Sequence, residues 1–101
     1  MIFDLDGTCF RFHTNEWLPG VVEKLTALAE AGHQIVFISM RGRRDPDQEW
    51  SQEKTKTILE ALPFRYVMIW NSEWPRIVID DCPPQALHTR QDSADWIGKL
   101  P

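Results

Sequence analysis

Apolar residues fall into short runs separated by polar breaks. Met1-Ile2-Phe3 reads as a strand that runs into Asp4-Leu5-Asp6, and Gly7 ends it. Thr8 to Trp17 mixes Phe10, Phe12 and Trp17 with Arg11 and His13 and has no clean period. The spacing predicts a helix over Leu18 to Ala31. Val21, Val22, Leu25, Leu28 and Ala29 fall on one face, Pro19 suits the first turn and Gly32 the stop. Gln34 to Ser39 follows as a strand, and its continuous apolar run Ile35-Val36-Phe37-Ile38 suits burial on both faces of a parallel sheet. Met40 to Asp47 is a polar, arginine-rich loop. A second helix is expected over Asp47 to Leu62, closed by Pro63, with Trp50, Ile58, Ala61 and Leu62 as its apolar positions.

Tyr66 to Trp70 and Ile77 to Ile79 are two further strand candidates, and Cys82-Pro83-Pro84 forces a turn. One or two short helices follow, one ending near Trp96 to Leu100. Strands alternating with helices imply an α/β protein with a mostly parallel central sheet. Only Asn71 to Arg76 separates the last two strand candidates, and a parallel crossover needs about a dozen residues. Tyr66–Trp70 is therefore expected to pair antiparallel or to lie at an edge.

Composition narrows the class. A chain of 101 residues suits one domain spanning 1–101, and 43% hydrophobic with 26% charged residues is ordinary for a globular fold. The net charge of -4 speaks against a broad, sequence-independent nucleic-acid surface, while leaving room for a local basic patch. The first apolar run is too short for a signal peptide, and no stretch approaches the roughly 20 apolar residues of a membrane span. Cys9 and Cys82 form neither a metal motif nor a disulfide framework and read as free thiols. A cytoplasmic protein without membrane attachment is expected.

Three strand ends carry reactive groups: Asp4-Leu5-Asp6-Gly7-Thr8, Ser39-Met40-Arg41 and Asp80-Asp81. In an open α/β sheet, ligands bind beyond the carboxyl ends of the strands, so all three clusters are expected to face one crevice. Asp4 and Asp6, two apart on a strand, leave on the same face and repel unless a cation sits between them. Mg²⁺ accepts one or two carboxylates plus water and phosphate, and Asp80 and Asp81 supply further carboxylate. A solvated loop or a helix cap explains any one of these aspartates, but four at the ends of two apolar strands point to a shared role. A calcium loop built on Gly7 fails, because Ile2 and His13 would then occupy its first and twelfth positions.

Phe3-Asp4-Leu5-Asp6-Gly7-Thr8 resembles the first signature of the haloacid-dehalogenase-like phosphatases. Ile38-Ser39 resembles the second, and Ile77-Val78-Ile79-Asp80-Asp81 the fourth. The resemblance implies a Rossmann-like three-layer sandwich without a cap domain and a Mg²⁺-dependent phosphatase. In it Asp4 is the nucleophile that forms an aspartyl-phosphate, and Asp6 is the general acid and base. It implies Asp4, Asp6, Asp80 and Asp81 around Mg²⁺, with Ser39 donating to phosphate. Thr8, Ser39, Met40, Arg41 and Arg43 are the substrate-binding positions expected beside them.

The third signature, a cation that neutralises the nucleophile, departs from the family pattern. Trp74-Pro75-Arg76 stands where relatives often carry Lys-Pro, so Arg76 and Arg41 are rival candidates. The missing lysine also motivates an alternative, a module that binds Mg²⁺ and phosphate without turnover. No cap fits between the signatures, so an open site is expected to admit bulky phosphates (nucleic-acid ends, phosphoproteins or phosphosugars attached to carriers) unless a second subunit acts as the lid. The arginine loop and Trp74 lean toward nucleotide or polynucleotide phosphate over sugar phosphates. Arg41, Arg43 and Arg44 suit an anionic substrate or simply face solvent. His13 reads as a surface histidine. The five tryptophans read as core or rim packing, Trp74 being placed to stack on a base or sugar.

Overall fold

The structure is a computed structural model that describes residues 1–42 and 48–101. Three parallel strands, β1 (Ile2–Asp4), β2 (Ile35–Ile38) and β3 (Tyr66–Ile69), form one sheet in the order β1-β2-β3. Helix α1 (Val21–Glu30) links the first pair and α2 (Gln52–Glu60) the second, and a short 3₁₀ helix spans Asp95–Lys99. Register sets Phe3 beside Phe37 and Phe37 beside Met68, so all three strands end together near Asp4, Ile38 and Ile69. β3 is the expected edge strand, but it pairs parallel, because α2 provides the long crossover that returns the chain to the same end of the sheet.

Helix α1 begins later than its apolar pattern suggests. Gly20 takes a left-handed φ of 81°, so Pro19 and Gly20 form a turn before the helix. Val21, Leu25 and Leu28 make its buried stripe, and Gly32, with φ of 96°, closes it near the predicted stop. Ser51 caps α2 by accepting from the Lys54 amide at 3.3 Å, and Thr55 and Leu59 turn inward one helical turn apart. The expected start of this helix, Asp47, lies outside the described residues.

Burial alternates along the strands. Phe3, Ile35 and Phe37 are buried in a core with Leu5, Phe10, Leu25, Leu59 and Trp96. Val36 and Ile38 are half-buried, and Val67 and Ile69 are exposed. The sheet is thus thoroughly covered on one face, and the three-layer sandwich with both faces buried is not formed among the described residues.

Ile77–Ile79 forms no strand, which corrects a second expectation. These residues are 73%, 62% and 95% exposed. The reason lies in what precedes them. The Asn71 amide donates to the Arg41 carbonyl at 2.7 Å, the Ser72 amide to the Ser39 carbonyl at 2.8 Å, and Arg76 to Asp4. These contacts pin the link at the carboxyl end of the sheet, whereas a further parallel strand must enter from the opposite end.

Candidate functional site

The site lies where β1 and β2 end. Asp4 is the last residue of β1, and the chain turns at once through Gly7, whose φ is 80°. Within that turn the amides of Thr8, Cys9 and Phe10 all donate to the Leu5 carbonyl. This folding brings the Thr8 hydroxyl to Asp4 Oδ2, to which it donates at 3.2 Å. On the other side of the carboxylate, Arg76 Nη1 donates to Asp4 Oδ1 at 2.8 Å, and Arg76 Nη2 holds the Ser72 carbonyl at 3.2 Å. Between the two candidate counter-ions for Asp4, the geometry therefore selects Arg76.

Arg41 serves Asp6 instead. Its Nε donates to the two Asp6 oxygens at 3.2 and 3.0 Å, and its Nη2 to Asp6 Oδ1 at 2.7 Å. Nη1 also reaches Thr55 Oγ1 at 3.0 Å and the Asn15 side-chain oxygen, while Nη2 reaches the Thr14 carbonyl. A guanidinium has five N–H donors, and these acceptors engage all five. Its carbon also lies 5.0 Å from the centroid of the buried Phe10 ring. Arg41 is only 4% exposed. It is a clamp between Asp6, the 11–17 loop and α2, with no donor left for substrate, which corrects its assignment as a substrate-binding residue.

Ser39 is fully buried, and its Oγ accepts from the Arg41 amide at 3.0 Å. In this arrangement it caps the end of β2 and is closed to a phosphate arriving from solvent. Met40 is exposed beside it. Arg43 lies outside the described residues. Trp74 is widely exposed and not part of the core.

Asp80 and Asp81 are not gathered with the N-terminal acids. Among the described residues, the one group of three or more potential metal ligands is Asp80, Asp81 and Cys82, all exposed. Hydrogen bonds from the Cys82 amide and from Asp81 hold the Asp80 carboxyl below its ordinary value. For Asp4 and Asp6, the repulsion that argued for a cation is relieved by two guanidinium groups, one per carboxylate. Mg²⁺ can still be accommodated by the donor chemistry here. Asp4 Oδ2 has only the Thr8 hydroxyl as a partner among the described residues, and no described backbone amide donates to the Asp6 carbonyl.

The partners Asn15 and Thr55 escaped the sequence reading. Thr55 left a trace, since a polar residue four positions before Leu59 falls on the buried stripe of α2. Asn15 left none. Cys9 and Cys82 are both free; Cys9 is buried, and burial, aided by the nearby Asp4 charge, pushes its thiol well above the usual range. No helix among the described residues is long and apolar enough to cross a membrane. Comparison with protein-family models, curated proteins and solved structures gives no match to this chain.

Proposed function

We propose that this chain is a Mg²⁺-dependent phosphomonoester hydrolase of the haloacid-dehalogenase-like kind, acting through a phosphorylated Asp4. The observation that carries the reading is the contact of Arg76 with Asp4, 2.8 Å between residues 72 apart in sequence. A nucleophilic carboxylate must meet an anionic phosphate, and a neighbouring guanidinium offsets the repulsion and stabilises charge in transfer.

In this mechanism an Asp4 oxygen attacks phosphorus and the bond to the ester oxygen breaks, its electron pair leaving with the alkoxide. Asp6 in its acid form gives that oxygen a proton. As carboxylate it then takes a proton from the water that attacks the phosphoaspartate, releasing inorganic phosphate and restoring Asp4. Thr8 and Arg76 orient the nucleophile throughout. The Asp4 carboxylate and the Asp6 carbonyl would hold Mg²⁺, which shields the phosphate charge when bound. Asp80 and Asp81, which are not gathered with these acids, are left out of that ion's ligand set.

Release of phosphate from a panel of phosphomonoesters tests the proposal. Turnover should require Mg²⁺ and vanish with Asp4→Asn and with chelation. Failure to release phosphate from any substrate would reject it.

One observation favours a second reading, a module that binds phosphate without turnover. Both Asp6 oxygens are occupied by Arg41, and Oδ1 also accepts from the His13 amide at 3.3 Å. An acid held this firmly must loosen its partner to pass a proton. The same panel separates the two readings.

A further inference from the structure

Beside the two acids, the loop between β1 and α1 turns an aromatic surface outward. Phe12 and His13 stack with ring centroids 3.9 Å apart and planes 19° from parallel, and Trp50 lies 5.8 Å from His13. All three side chains are exposed. They add little to the core, although rings of this size usually serve to bury surface.

The surface is held firmly. The Phe12 amide donates to Asp92 Oδ1 at 2.6 Å, the His13 amide to Asp6 Oδ1, and Arg41 grips the Thr14 carbonyl. Asn15 donates to Glu49 Oε1 from its amide at 3.2 Å and to the Glu49 carbonyl from its side chain at 2.7 Å. Glu49 directly precedes Trp50, so one anchor ties both parts of the surface together. His13 takes a left-handed φ of 58°, uncommon for a residue with a side chain and maintained here by its neighbours.

Exposed, pre-ordered π-faces joined by a hydrogen bond to a site acid suit one ligand chemistry well. A nucleobase stacks on such faces whatever its identity, because every base has a π-face. A sugar phosphate without a base brings no π-face to them. We infer that Phe12, His13 and Trp50 form a stacking shelf for the base of a nucleotide whose phosphate is handled at Asp4 and Arg76. The substrate class is then a nucleoside phosphate, free or at the end of a strand. The phosphate end of this inference rests on the phosphatase reading; the base end does not.

The test is equilibrium binding to the intact Asp4→Asn chain with Mg²⁺, followed by calorimetry. Adenosine 5′-monophosphate should bind about tenfold or more tightly than ribose 5-phosphate. Trp50→Ala, or Phe12→Leu if the first variant folds poorly, should remove most of that advantage. A phosphorylated trinucleotide binding more tightly than the mononucleotide assigns the strand end, and equal affinity assigns the free nucleotide. Equal affinity for ribose phosphate and nucleotide, absence of binding by either, or a ratio unmoved in both folded variants would overturn the shelf. Loss of the phosphatase reading alone looks different: nucleotide binding is preferential, yet the unaltered chain releases no phosphate.

Discussion

Arg41 grips Asp6 side-on, with Nε and Nη2 both on the carboxylate and the Asn15 and Thr55 oxygens on the remaining nitrogen. One buried cation thus fixes the end of β2, the loop after β1 and the inner face of α2.

Arg41→Met should therefore act on stability first. It leaves the mostly buried Asp6 carboxylate without its partner and the buried Thr55 hydroxyl without its donor. Removing one member of such a pair costs about 3–5 kcal/mol. In a domain of this size, that corresponds to a fall in Tm of roughly 10 °C or more. Arg41→Lys should not restore it, since a lysine lacks the planar fork that meets these acceptors together. Urea and thermal unfolding measure both variants.

Arg76→Ala should do the reverse. The Arg76 and Asp4 side chains are 29% and 33% exposed, and pairs this open contribute at most about 1 kcal/mol to folding. Stability should hold while phosphate release falls on the order of a hundredfold, as for loss of one donor to a developing charge. Steady-state kinetics beside an unfolding curve separates the two effects.

Gly42→Ala should destabilise through the backbone. Gly42 has a φ of 124°, and an added Cβ would lie 3.0 Å from Trp70 Cβ and 3.1 Å from Asn71 side-chain atoms. A cost of about 1–3 kcal/mol is expected from the conformation alone. Because this glycine adjoins Arg41, the loss should appear as a lower denaturant midpoint.

The buried Cys9 thiol carries a pH signature. Its pKa in the folded chain lies well above 9.0, so above that pH the unfolded chain loses a proton that the folded chain keeps. The unfolded state gains from ionisation first, and stability should be full below pH 9.0 and decline as pH rises beyond it. Cys9→Ala should flatten that alkaline decline in unfolding measured across the range. With a thiol reagent, the exposed Cys82 should react at once and Cys9 only on unfolding.

Local pattern determined much of this protein. The stripe of Val21, Leu25 and Leu28, the apolar run from Ile35 to Ile38 and the acidic turn after Phe3 could each be read within a few residues, because helix period, strand composition and turn chemistry act over short stretches. That Asp4 and Arg76 stand together as a candidate charge pair was also legible as one of two options. Only the tertiary structure decided between them. The anchoring of Asn71 and Ser72 to the end of β2 brings Arg76 to Asp4 and keeps Ile77–Ile79 out of the sheet. Burial then gave Arg41 to Asp6, Asn15 and Thr55. Such choices depend on which distant groups reach a carboxylate first, and no short-range pattern contains that distance.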